Sequence, residues 1–255
     1  MMQTFVSMFK NKEIRNKILF TLVMLLIYRI GSAIPVPGVD AAKLSAQVSG
    51  NSILSMMNLL GGGAFEKMSV FALGVTPYIT ASIIIQLLSM DVIPYLTELS
   101  KSGETGRIKS DQITRYLGVV LAFVQSFSMV YGFDKQYAIL ESSNLSTYFY
   151  TATILTAGTM FLIWIGDKIS TKGIGNGISM IIFAGIVSNM PAQFSQVFNI
   201  LMSGNTQGAQ FSGILEFVLY CVLYLVIIVG VVIMQLAQRK IPIQYTSSSG
   251  AKAND

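Results

Sequence analysis

Apolar positions in this chain gather into long, nearly unbroken runs separated by short polar stretches. A helix rising about 1.5 Å per residue needs roughly 20 apolar residues to cross a ~30 Å hydrocarbon core. Runs near that length occupy residues 18–34, 70–90, 117–133, 148–169, 178–190 and 214–235, which predicts six membrane spans. The fifth is short before Pro191, so it is expected to continue past the proline or to begin in the glycine-rich turn ahead of it. Pro35 and Pro37 stop the first span. Between the spans lie a polar loop at 38–51, a charged loop at 91–116, the glycine turn at 171–177 and an uncharged linker at 195–213.

The stretch 53–90 breaks the pattern. Its first piece, 53–60 (ILSMMNLL), is loosely amphipathic and too short to span anything. Gly61, Gly62 and Gly63 follow, and then an apolar run interrupted only by Pro77. The pattern predicts a half-helix joined by a glycine hinge to a spanning helix. Irregular backbone survives at membrane depth only where protein or a water-filled cavity surrounds it. The stretch therefore suggests a cavity with a movable piece; a re-entrant or interfacial loop with no moving function fits the same residues.

Composition agrees with a polytopic helical membrane protein. Hydrophobic residues make up 53% of the 255 and charged residues 11%, against about 25% charged in soluble domains, and mean hydropathy is +0.62. The net charge of +5 gains meaning from its placement. Six spans put residues 1–17, the loops at 91–116 and 171–177 and the tail 236–255 on one side, and twelve Lys and Arg residues with them, thirteen counting Lys168 at the adjoining end of the fourth span. The other side holds Lys43, Lys67 and Lys135, with Arg29 near it. Cytoplasmic loops collect basic residues, so both ends are expected to be cytoplasmic. The lead 1–17, with Phe5, Met8 and Phe9 among its lysines, is expected to lie on the membrane surface, and the first span to be retained rather than removed as a signal peptide. In the tail, IPIQY reads as a short strand and SSSGAKAND as disordered.

Candidate chemistry is sparse. The chain has no histidine, which excludes histidine-based catalysis and histidine metal sites, and its one cysteine, Cys221, sits in an apolar run. Ionisable residues hardly enter the spans: Arg29 and Glu216 come close, both near span ends. Proton-coupled transporters ordinarily carry buried Asp, Glu or His, so ion-coupled transport is disfavoured. The turn GIGNGIS lacks a preceding strand and the dinucleotide spacing, and reads as a tight connection or a cytosolic contact point. Val75 with Ile79, and Ile178 with Ile182, are i, i+4 pairs that each share a helix face. Such pairs serve as packing or lipid contacts, or line a dry constriction that seals a pore by excluding water. Thr80, Ser82 and Gln86 make the second span mildly polar, as interhelical hydrogen bonding would. The charged segment 98–115 and the pair Arg239-Lys240 suit either a solvated face or a docking surface.

Several segments together resemble the SecY family, central subunits of bacterial protein-conducting channels. They are YRIGSAIPVPGVD (28–40), NLLGGGAFEKMSVFALGVTPYITASIIIQLL (58–88), GETGRIKSDQITRY (103–116), AGTMFLIWIGDKISTKGIGNGISMIIFAGIV (157–187) and QRKIPIQY (238–245), in family order. The resemblance implies an all-α membrane fold of six transmembrane helices plus a plug half-helix at 53–67. The plug would include Ile53, Leu54, Met56, Met57, Leu60, Gly61, Gly62 and Gly63. It implies a pore ring of Val75, Ile79, Ile178 and Ile182, with valine where the family usually has isoleucine, and a lateral gate bearing Thr80 and Gln86. Arg107, Lys109, Arg115, Lys172, Arg239 and Lys240 would face the SecA motor or the ribosome. SecE and SecG would be partner subunits, signal sequences and nascent polypeptides the cargo, membrane lipid the surroundings, and no cofactor or metal is implied.

The implied organisation is a lead at 1–17, the first five-helix half at 18–190, an external linker and sixth helix at 191–235, and a shortened cytoplasmic loop at 236–255. The family has ten spans in two inverted halves, so the chain corresponds to one half plus a helix: a fragment, a truncated gene or a split subunit. The implied function is passive passage of unfolded polypeptides across, or into, the bacterial cytoplasmic membrane. The alternatives are a truncated remnant that only binds a partner and, further off, a small-solute secondary transporter built on a broken helix.

Overall fold

The computed structural model describes residues 11–48, 58, 62–140, 142–203 and 210–237. Among these the chain forms eight helices: α1 (Lys12–Gly31), α2 (Ala41–Val48), α3 (Thr76–Leu88), α4 (Pro94–Lys101), α5 (Gly103–Tyr137), α6 (Leu145–Lys172), α7 (Gly177–Ser203) and α8 (Gln210–Leu236). It divides into two compact units, Met1–Pro191 and Ala192–Asp255.

Among the described residues, four helices are long and apolar enough to cross a membrane: α5, α6, α7 and α8. The other two expected spans differ for separate reasons. In α1, 20 residues long, Lys12, Glu13, Arg15, Lys17 and Arg29 all lie within the helix. Its start is fixed by Asn11, whose side chain accepts from the Glu13 N–H at 3.0 Å. Of the expected surface lead, Lys12, Arg15 and Lys17 fall within α1, and residues 1–10 lie outside the described residues. Lys17 binds Glu13 one turn back at 2.9 Å; that hydrogen bond, then the lysine charge, holds the Glu13 carboxyl below its ordinary range.

The expected span 70–90 is helical only from Thr76 to Leu88. Residues 62–75 run through successive turns. Gly74 sits at φ +59°, a left-handed conformation that interrupts a helix. Pro77 then falls in the first turn of α3, where its missing N–H costs nothing.

Two expected loops are helices as well. The charged segment 91–116 forms α4 and the first turns of α5. The linker 195–213 is helical to Ser203 and again from Gln210. α7 carries Pro191 in its interior, as the pattern allowed.

In the first unit α6 is the buried centre. Leu155, Leu162, Ile165 and Ile169 on it are 0% exposed, and it packs against α1 and α5, while α3 and α4 pack against α5. Where α1 ends, residues 34–40 run as an extended strap. The Val36 N–H donates to the Met68 carbonyl and the Val70 N–H to the Ile34 carbonyl, each at 3.0 Å; the Asp40 N–H donates to the Ile139 carbonyl at 2.8 Å. Beneath the strap, Val36, Leu44, Phe65, Met68, Val130 and Ile139 form one apolar cluster.

Asp134 closes this end. One carboxylate oxygen accepts the Leu140 N–H at 3.1 Å and the other the Tyr148 hydroxyl at 2.5 Å. Both Asp134 and Tyr148 are buried. Tyr148→Phe is expected to cost ~1.5–3 kcal/mol, the usual worth of a hydrogen bond to a charged group. Thermal unfolding in detergent would register this as a lower midpoint.

In the second unit, Phe194 meets Tyr220 and Tyr224 edge-on at 5.6 Å, and Phe198 meets Phe217 at 5.2 Å. The rest of α8 presents Leu215, Val222, Ile227 and Ile233 outward, as a helix in hydrocarbon does.

Candidate functional site

The site is built by the turn segment 62–75, the start of α3, and the first half of α7. Gly62 and Gly63 adopt φ +67° and +80°, conformations that glycine enters without a Cβ penalty. The turn is internally tied. The Gly63 N–H donates to the Asn58 carbonyl at 2.9 Å, the Glu66 N–H to Asn58 Oδ1 at 2.9 Å, and Asn58 Nδ2 to Glu66 Oε2 at 3.0 Å. Phe71 stacks between Tyr28 of α1 and Phe161 of α6, with ring centres 6.2 and 6.1 Å away. A Cβ on Gly31 would collide with the Phe71 ring, so the glycine at the end of α1 makes room for this ladder.

Val75 follows, buried at the N-cap of α3. It shares a cluster with Ala64, Phe71, Leu162 and Ile165, and Ile79, Ile178 and Ile182 pack against the same cluster, partly buried. All four aliphatics singled out by their spacing are thus neighbours of one apolar centre. Val75, Ile79 and Ile182 also line a cavity of about 650 Å³, together with Phe65, Thr76 and Gln125. Its wall is mainly apolar, so water is weakly held there.

The seating of α7 explains how Ile178 and Ile182 come so close to α6. Gly177 crosses Gly166 so tightly that a Cβ on Gly177 would collide with the Gly166 carbonyl oxygen. Asn176 Oδ1 caps the start of α7, accepting from the Ile178 N–H at 3.1 Å. The Ile174 N–H donates to Thr21 Oγ1 at 3.1 Å, docking the glycine turn onto α1.

Thr80 donates its hydroxyl to the Thr76 carbonyl one turn back, at 3.1 Å, and Gln86 is exposed on α3. Arg107 and Lys109 are exposed on the first turns of α5, and Lys172 on the last turn of α6. Arg115 is committed differently: its guanidinium lies 2.7 Å from the Asp167 carboxylate and joins α5 to α6. Ile53, Leu54, Met56, Met57, Leu60 and Gly61 of the expected plug, Arg239 and Lys240, and the expected tail strand lie outside the described residues.

Sequence reasoning missed one polar contact. Arg29, near the end of the first expected span, donates from Nη1 to the Gly62 carbonyl at 2.7 Å. The available signal was its isolation as the one charge within the first run, together with three glycines able to offer bare carbonyls.

The SecY family model matches residues 69–255. The chain is 48% identical over 252 residues to the protein translocase subunit SecY of Bacillus subtilis (strain 168), covering 98% of this chain and 58% of that protein. It is 46% identical over 248 residues to protein translocase subunit SecY 1 of Lactobacillus kefiranofaciens subsp. kefiranofaciens, covering 96% and 57%. The chain therefore spans under three fifths of the length of these relatives. Among solved structures, it matches a chain of Sec61 in the canine ribosome-channel complex from the endoplasmic reticulum with a TM-score of 0.57 and 19% identity, covering 90% of this chain and 49% of that one. A structure described as a protein conducting channel matches with a TM-score of 0.58, again at 19% identity, covering 89% and 49%. At that identity the two structures show a shared fold.

Proposed function

The chain belongs to the SecY family, and from that premise we propose that it forms part of a channel through which unfolded polypeptides cross or enter the bacterial cytoplasmic membrane. The observation that carries this reading is the convergence of Val75, Ile79, Ile178 and Ile182 from two separate segments on one apolar centre beside a cavity. A collar of branched aliphatics offers water no hydrogen-bond partner, so it stays dry to ions while an extended chain can push its side walls aside. In this reading residues 53–67 are the plug, and α3, which bears Thr80 and Gln86, belongs to the lateral gate.

The proposed orientation puts both ends of the chain in the cytoplasm, following the placement of its basic residues. Arg107, Lys109, Arg115, Lys172, Arg239 and Lys240 then face a cytosolic partner, either the SecA motor or the ribosome, with Arg115 held in place by Asp167. SecE and SecG are the proposed companion subunits. The channel is passive in this scheme: the motor or ribosome supplies the energy, and a signal sequence wedges the gate.

A cysteine-directed crosslink tests the proposal. A stalled secretory chain is expected to crosslink to Ile79→Cys in the assembled channel and not to Leu22→Cys, which is 58% exposed on α1. Absence of the Ile79→Cys product would refute a polypeptide path through this cluster.

A further inference from the structure

The turn at Gly62–Gly63 is fastened at both of its ends. After it, the strap holds Met68 and Val70 through the Val36 N–H and the Ile34 carbonyl. Before it, α1 and α7 receive it directly. Arg29 donates to the Gly62 carbonyl at 2.7 Å, a short charge-assisted bond. A Cβ on Gly62 would stand 2.8 Å from Gly185 Cα and 2.8 Å from the Tyr28 hydroxyl. A Cβ on Gly63 would stand 3.1 Å from Asn189 Oδ1. Seen from the other side, a Cβ on Gly185 would stand 3.0 Å from the Tyr28 hydroxyl and 3.5 Å from Gly62. Backbone thus lies on backbone, glycine against glycine, with no side chain between to absorb a displacement. The bonds from Asn58 to Gly63 and Glu66 keep the turn together as one piece.

We propose that Tyr28, Arg29, Gly185 and Asn189 form a clasp that seats the Gly62–Gly63 turn against α1 and α7 in the closed channel, next to the apolar cluster that Ala64 and Val75 share. The proposal rests on the channel reading above. Its chemistry favours a contact that is either fully made or lost. A rigid turn moved by the length of one hydrogen bond gives up the Arg29 bond and the glycine contact together, because both grip the same peptide unit. The strap remains, so the turn stays attached at its far end and pivots there. Tyr28, Arg29, Gly185 and Asn189 are therefore positioning residues.

The test measures resting ion flux through the complete channel in proteoliposomes, scaled to the amount of assembled complex. Arg29→Met removes the donor and keeps the stem. Gly185→Ala adds one methyl on the α7 side, in a helix with no positive φ. Each is expected to raise resting flux several-fold while secretory protein still crosses. Gly132→Ala, where a Cβ meets nothing within 4 Å, serves as the background and is expected to match the parent. Parental flux in either Arg29→Met or Gly185→Ala overturns the clasp, because a seat built from two sides fails from either. The Ile79→Asn, Ile182→Asn double variant, run alongside, separates the two readings. If that variant leaks and the clasp variants do not, the clasp alone is wrong; if it does not leak either, the channel reading fails with it.

Discussion

Replacing Ile79 and Ile182 together with asparagine is expected to raise the resting ion conductance of the assembled channel about tenfold, the factor that ~1.4 kcal/mol off a barrier represents. The two side chains lie at the same apolar cluster as Val75 and line the same cavity. Asparagine has as many side-chain heavy atoms as isoleucine but fills less volume, so the passage widens slightly and, above all, changes its wetting. An amide left without a partner in an apolar site costs ~1–3 kcal/mol, and the cheapest partner here is water. Once water is held at this level, ions follow it. Single-channel recording in planar bilayers gives the readout. Val75→Ile, which keeps a branched aliphatic, should leave conductance where it was. Equal conductance in the double variant, at equal channel number, would remove the sealing role from this cluster.

Gly158→Ala is expected to lower stability by ~1–3 kcal/mol, as for other overpacked cores. Gly158 faces the turn segment from the buried side of α6, and an added Cβ would collide with the Val70 carbonyl oxygen. That oxygen belongs to backbone, so no rotamer change relieves the contact, and the whole segment before Val75 has to shift. Gly132→Ala supplies the contrast. Its Cβ meets nothing within 4 Å on α5, and alanine in a helix interior gains roughly 0.5–1 kcal/mol over glycine. Thermal unfolding of the detergent-solubilised complex should therefore move down for the first and level or up for the second. Because Val70 leads to Val75, Gly158→Ala should also leak ions, and a destabilised variant with a tight seal would contradict that coupling.

These predictions draw on features the sequence disclosed unevenly. Hydropathy marks where a segment becomes soluble in lipid, which differs from where its helix ends. The charged residues of 91–116 looked like a loop, yet α5 begins at Gly103, because helix continues into water wherever propensity and neighbouring packing allow. The same measure erred the other way at 70–75, where every residue is compatible with hydrocarbon but the backbone turns at Gly74. There the apolar character serves burial against α6 and Tyr28, with no spanning role. Gly74 and Pro77 were the local signals, and they were outweighed by the length of the run. The i, i+4 spacing of Val75 with Ile79 and of Ile178 with Ile182 was legible; their meeting was not, because it depends on Gly177 crossing Gly166 far along the chain. Arg29 was visible as an oddity, but its acceptor is a main-chain carbonyl, which a sequence does not print.

The strap at 34–40 carries a consequence for how the protein is made. Its first bonds, to Met68 and Val70, join neighbours in the order of synthesis, whereas its last, from Asp40 to Ile139, waits for a partner beyond the end of α5. Closing so long a loop is entropically costly when nothing else holds the ends, and packing of α5 on α3 supplies that hold. Biogenesis should therefore pass through a stage in which α1 and the glycine turn are already joined while their outer flap hangs open. That stage ends when the fold of a newly inserted α5 delivers the carbonyl of Ile139, so this rim closes well after its own sequence has emerged.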